Sequence, residues 1–183
     1  MKRLFAALSL CILSSTALAE SGRFYLLPSF GGSDVNLKEG YELLVTNSDD
    51  DKDGAYAGLA LGYQVHDKVD VELNYNITGS SIINLGLSDF LELQQVQVAA
   101  VYKIDLGGWQ IRPRLAISQW KLDVDRPSYL NRDGYTEEGT DLHFELGAGY
   151  MFGFDLGILL QYSYLDFGVG DMETLSVGLY FPL

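Results

Sequence analysis

Glu72, Lys103, Arg112, Arg114, His143 and Glu145 are each flanked on both sides by an apolar residue. Each lies in a stretch where apolar and polar residues alternate. A strand sends successive side chains to opposite faces, so all six point away from the apolar face of their strand. Three chemistries fit this set. Enclosed carboxylates and cations can neutralise one another as ion pairs. If Glu72 exchanges between two cationic partners of similar energy, the same residues form a gated ion path. His143 and Glu145, on one face, resemble the base and orienting acid of a hydrolase, which also needs a nucleophile within reach. Ser118 is the one nearby hydroxyl of the right phase. Ion pairing asks least of the sequence, so the six are read as an interior charge cluster and the chain as not an enzyme.

A second constellation is Asp49-Asp50-Asp51-Lys52-Asp53-Gly54. Asp49, Asp51 and Asp53 have the opening spacing of a calcium loop. A complete loop places a bidentate Glu at the twelfth position, and that position is Ala60. The segment is read as a solvated acidic loop, a weak metal candidate at most, and no cofactor is expected. His66 falls in a turn and has no assigned role. The stretch with Asp123, Asp125, Arg126, Arg132, Asp133, Glu137 and Glu138 is also charged, and long exposed loops are where a surface ligand would bind.

The elements that position these residues are eight strands. They are read as Arg23–Gly32, Ala55–Val65, Val69–Ile77, Leu93–Ile104, Trp109–Trp120, Asp141–Phe152, Asp155–Tyr164 and Thr174–Phe181. The third shows the pattern clearly, with Val69, Val71, Leu73, Tyr75 and Ile77 on one face and Asp70, Glu72, Asn74 and Asn76 on the other. Across strands two to eight no position of the apolar phase is charged. An outward Lys or Arg at the middle of a bilayer would cost about 2–4 kcal/mol. The apolar faces therefore look lipid-directed and the polar faces enclosed. This predicts an all-β, closed, antiparallel, eight-stranded transmembrane barrel, too narrow for an open diffusion pore. Pro28 and Pro113 argue locally against an unbroken ladder.

The connections alternate in length. Short turns fall at His66-Asp67-Lys68, Asp105-Leu106-Gly107-Gly108 and Gly153-Phe154. Long loops are expected at Ser33–Gly54, Gly79–Phe90, Lys121–Thr140 and Leu165–Glu173. In outer-membrane barrels the short side is periplasmic, which places both termini there. Tyr63, Tyr75, Tyr102, Tyr150, Phe152, Tyr162, Tyr164 and Phe181 are read as interfacial girdles.

Residues 1–19 read as a cleaved signal peptide: Lys2 and Arg3, an apolar Leu4–Leu13 core, then Ala17-Leu18-Ala19. The barrel domain then covers 20–183. The only cysteine, Cys11, would leave with the signal, so no disulfide or thiolate metal site is expected. The formal charge of −13 becomes about −15 without Lys2 and Arg3, which excludes nucleic acid as a partner.

Several short motifs resemble the transmembrane domain of the OmpA family. They are Leu61-Gly62-Tyr63-Gln64-Val65 with Val71-Glu72-Leu73-Asn74-Tyr75, Pro113-Arg114-Leu115 with Trp120 and Asp123, Leu160-Gln161-Tyr162, and Leu175-Ser176-Val177-Gly178-Leu179. The resemblance implies an eight-stranded outer-membrane barrel of a Gram-negative bacterium, without the family's periplasmic domain. It matches Glu72 and Arg114 to inward charged residues of the family. Val101, Leu159 and Gly149 stand where the family carries further interior charges, so the resemblance implies a rewritten interior network. The expected role is structural or surface interaction through long acidic extracellular loops. Expected partners are outer-membrane lipid and lipopolysaccharide, the barrel-assembly machinery and a loop-bound surface ligand. The alternatives are a lipid A-modifying enzyme, a narrow gated ion channel, or a secreted lipocalin-like carrier.

Overall fold

The computed structural model describes residues 22–38, 53–79, 90–125, 135–152 and 156–183. Eight antiparallel strands follow one another: β1 Phe24–Leu37, β2 Asp53–His66, β3 Val69–Gly79, β4 Phe90–Tyr102 continued by Ile104–Leu106, β5 Trp109–Asp125, β6 Tyr135–Met151, β7 Gly157–Phe167 and β8 Gly170–Pro182. Each pairs with its neighbours in sequence, and β1 closes the ring against β8. Closure leaves no sheet edge, as a backbone crossing lipid requires.

The register fixes the geometry. From Ser29 the ladder runs through Gly58, Asn76 and Gln95 to Trp120. The other way round, it runs through Gly178, Leu159 and Gly149 to Gln110. The two arrivals on β5 differ by ten residues. Eight strands with that stagger tilt by roughly 40° and form a cylinder of roughly 8 Å radius, which side chains alone can fill.

Both prolines mark lapses in pairing. The β4–β5 ladder stops at Val101–Arg114 and resumes at Ile104–Ile111, leaving Pro113 in the gap. The β1–β8 ladder skips from Leu26–Phe181 to Ser29–Gly178, leaving Pro28 in the gap. Proline has no N–H to donate, so each ladder lapses on the side where that donor is missing. The chain pairs normally on the other side of each proline. At the tight turn after β4, Gly107 and Gly108 have φ of 67° and 98°, a conformation glycine adopts without strain.

The apolar phase faces outward as expected. Leu59, Leu73, Val96, Leu115, Phe144, Leu160 and Val177 are among the exposed apolar residues. From Trp109 and Phe152 to Val96 and Leu142, the register and tilt give a belt roughly 25 Å tall, the height of a lipid-facing band. Rings gather at the end carrying the termini: Phe24 on Tyr63, Trp109 on Tyr150 and Tyr150 on Phe152, with centroids 4.8, 5.5 and 5.3 Å apart.

The strands run further than the sequence reading gave them, and one loop is corrected. Leu165–Glu173 is not a long loop: β7 continues to Phe167, Gly168 and Val169 turn, and β8 begins at Gly170. Strands β5 and β6 likewise run to Asp125 and from Tyr135. The remaining long connections lie at 39–52, 80–89 and 126–134, outside the described residues. Gly153-Phe154 and Asp155 are outside them as well.

The extra length has a physical signature. On β5 the outward face changes from Leu115 and Ile117 to Gln119, Lys121 and Asp123. The inward face changes from Arg112, Arg114 and Ser118 to Trp120, Leu122 and Val124. Strands β4, β7 and β8 change over at the same level. Outward Glu92, Asp166 and Glu173 face inward Leu91, Leu93, Leu165, Phe167 and Met172 across the wall. The inward residues merge with Val35 and Val169 into one buried apolar cluster. Below this level the outside is apolar, as lipid demands, and the interior is mainly polar, with a smaller buried apolar group of Tyr25, Leu27, Ala60 and Leu159. Above it the wall has the ordinary polarity of a water-soluble barrel.

Candidate functional site

The lumen below the apolar cluster is filled by an ion network. Arg112 and Arg114 come from β5, Asp70 and Glu72 from β3, Lys103 from the β4 break and Glu145 from β6. All are at least nine-tenths buried. Three carboxylates face three cations, so the set is formally neutral. Burying charge without partners is expensive, and each member has a partner.

Arg114 is the hub. Its Nε lies 3.1 Å from Glu72 Oε2, its Nη1 lies 3.0 Å from Glu145 Oε2, and its Nη2 donates to Gln97 Oε1 at 2.6 Å. Arg114 and Glu145 stand directly opposite across the β5–β6 ladder. Asn74, with its amide turned to satisfy its neighbours, accepts from Arg114 Nε at 3.3 Å. Gln161 Nε2 holds the other oxygen of Glu145 at 2.7 Å.

Arg112 organises the end nearer the termini. Its Nη2 donates to Glu72 Oε1 at 2.9 Å and to Tyr25 Oη at 2.7 Å, and lies 3.4 Å from Asp70 Oδ2. Its guanidinium sits 5.2 Å from the Tyr25 ring centroid and 5.5 Å from that of Tyr180, at cation–π range. The Tyr25 hydroxyl donates to Glu72 Oε1 at 2.6 Å. Lys103 Nζ lies 2.8 Å from Asp70 Oδ1. That contact is a close ion pair rather than a directed hydrogen bond, and Asp70 Oδ1 has no other partner among the described residues.

Between the ion network and the apolar cluster lies a neutral polar layer. Because Gln97 Oε1 serves Arg114, Gln97 Nε2 is left to donate to Gln95 Oε1 at 2.8 Å and to His143 Nδ1. His143 is thereby the tautomer with its proton on Nε2. Among the described residues that Nε2 has no partner, and neither does Ser118 Oγ.

The six sequence-derived residues all reach the lumen. Glu72, Lys103, Arg112, Arg114 and Glu145 join one network, while His143 lies above it and bonds to no charged group. Of the two arginines, Arg114 is the one that reaches Glu145. Asp70, which the phase of β3 puts on the inward face, pairs with Lys103 and Arg112. Tyr25, Asn74, Gln97 and Gln161 carried no assignment. Their shared strand phase was the signal that could have found them. His143 and Ser118 make no hydrogen bond to each other, so no nucleophile–base pair forms there. Asp49 and Asp51 lie outside the described residues, as does the side chain of Asp53. Among the described residues no cluster of His, Cys, Asp and Glu could hold a metal.

Comparison with solved structures returns other eight-stranded outer-membrane barrels. Neisserial surface protein A superposes with a TM-score of 0.66 at 14% identity, over 88% of this chain and 99% of that one. Ail, the attachment invasion locus protein of Yersinia pestis, gives 0.64 at 15% identity, over 89% and 99%. The N-terminal β-barrel domain of Pseudomonas aeruginosa OprF gives 0.54 at 14% identity, over 89% and 100%. Comparison with curated protein sequences finds no match. At these identities the likeness is one of fold, and that fold belongs to the outer membrane. A family model described as an outer membrane protein beta-barrel domain matches residues 4–181, and the chain belongs to that family.

Proposed function

We propose that this protein is a non-pore, non-enzymatic surface barrel that presents its long loops outside the cell and makes contacts there. The observation that carries this reading is the change of polarity at one level of the wall. Above the lipid belt, Asp34, Glu92, Lys121, Asp123, Glu138, Asp166 and Glu173 take the outward phase. Strands built this way project a rigid stub into water. The stub is at the long-loop end, so that end is extracellular and both termini are periplasmic.

The stub is acidic. Among the described residues its outward cations are Lys38 and Lys121, and both are paired, with Asp166 and Asp123. Ail has been crystallised with a heparin analogue, sucrose octasulfate. An acidic collar favours the opposite class of partner here, a cationic surface or lipopolysaccharide phosphates bridged by divalent cations. Residues 1–19 act as the signal peptide, and the barrel-assembly machinery inserts the remainder.

Neither enzymatic nor channel activity has support in the lumen. Among the described residues no nucleophile bonds to His143, and the charged residues of the lumen are committed to one another. The test is to express the full chain, fractionate the cells and treat intact cells with trypsin. The protein should sit in outer membranes and be cut at Lys52, Arg126 or Arg132. Cleavage only after the outer membrane is permeabilised would refute the orientation, and release without detergent would refute membrane integration.

A further inference from the structure

The lumen contains two layers of different character, stacked along its axis. The lower one is the ion network. The upper one is apolar, with Leu93, Leu122, Leu165, Phe167 and Met172 each at 1 % exposure or less. Between them lies the neutral layer of Gln95, Gln97, Ser118 and His143, each at 2 % exposure or less.

We propose that this apolar layer, in series with the ion network, is the barrier that keeps the lumen closed to water and ions. The inference goes beyond the surface role and takes from it only that the lumen does not conduct. The two layers differ in how they can yield. An ion network can be crossed by exchanging partners, because a passing ion is offered replacement ligands at each step. Arg114 alone contacts Glu72, Glu145 and Gln97. An apolar layer offers an ion nothing and must be wetted before anything polar passes. It also lies level with the acidic collar, where the outer wall meets water rather than lipid. Its packing is that of a soluble core and does not depend on the bilayer. Rearranging the ion pairs therefore leaves the lumen shut.

Four proteins are reconstituted in planar bilayers: wild type, Glu72→Gln/Arg114→Gln, Leu93→Ser/Phe167→Ser/Met172→Ser, and the combination of all five changes. Folding of each is checked by its mobility before and after boiling. Wild type and the Glu72→Gln/Arg114→Gln protein should be silent, and the combination should carry at least tenfold more current than wild type. A current from the Glu72→Gln/Arg114→Gln protein equal to that of the combination overturns the proposal, and so does a silent combination. Wild-type current as large as that of the combination removes the closed lumen itself, and the proposal with it. An independent readout uses Ser118→Cys, placed just below the apolar layer. A small cationic thiosulfonate should label it at least tenfold faster when Leu93, Phe167 and Met172 are Ser. Equal labelling rates overturn the proposal.

Discussion

Strand β5 crosses the whole polarity change, so three substitutions on it test the assignment of lipid, water and core. Leu115 is outward, 54 % exposed and near the middle of the apolar belt. Leu115→Arg should cost about 2–4 kcal/mol, roughly 30- to 1000-fold in the folding equilibrium. Gln119 is also outward, four residues nearer the long-loop end and just above the belt. Gln119→Arg should cost about 0–1 kcal/mol, because a cation near the interface stays hydrated. Leu122 is inward and 1 % exposed. Leu122→Ala should cost about 2–5 kcal/mol through lost burial and the cavity left behind.

The assay is reversible denaturant unfolding in lipid vesicles. The two tryptophans report on opposite ends: Trp120 lies in the apolar cluster, and Trp109 is exposed among the rings of the other end. Equal costs for Leu115→Arg and Gln119→Arg would refute the belt boundary. A neutral Leu122→Ala would refute the interior core above it.

Three further outcomes are expected. Glu145→Ala strands Arg114 beside Glu72 with one partner too few; it should cost about 3–5 kcal/mol, and a double-mutant cycle with Arg114→Ala should recover a coupling of about 0.5–3 kcal/mol. Pro113→Val restores the donor missing between β4 and β5, so amides flanking Tyr102 should exchange more slowly, with a gain of about 0.5–1.5 kcal/mol in stability. Asp123, above the belt, accepts hydrogen bonds from Lys121 and Thr136, which hold its carboxyl below the usual range. A depressed folded-state pKa stabilises the fold above the unfolded value and is lost as pH falls through the folded one. Acid titration by NMR should therefore show Asp123 protonating below the usual carboxylate range, with little effect on stability because the pair is solvent-exposed.

Period-two phase was enough to place every candidate charge in the lumen, because one residue of slip would have moved a whole strand's charges into lipid. It was also enough for Arg114 and Glu145, whose strands are neighbours and whose positions prove to be in register. Contacts across the lumen were not legible. Lys103 meeting Asp70, and Tyr25 meeting Arg112 and Glu72, depend on stagger and on which side chains span the cylinder. The strand ends failed for a different reason. Leu91, Leu93, Leu122, Val124, Leu165 and Phe167 continue the alternation with the same geometry but the opposite chemistry. A reading that equates apolar with outward stops each strand where its surroundings change from lipid to water. Such a reading makes Leu165–Glu173 a loop, although its apolar residues at 165, 167, 169 and 172 are what bind the hairpin to the core.

The two fillings of the lumen solve one packing problem under different constraints. A cylinder of this width must be filled by inward side chains along its whole length. Level with lipid, the outward face is necessarily apolar, and an apolar interior there would leave nothing to distinguish the two faces of a strand. Polar filling sets the phase, and a network of three carboxylates and three cations does so without a net buried charge. Level with water, the outward face is charged and the hydrophobic effect sets the phase instead. The exchange of roles on β4, β5, β7 and β8 at a common level therefore marks where this barrel leaves the membrane. It also explains why an apolar closure stands above a salt-bridged one.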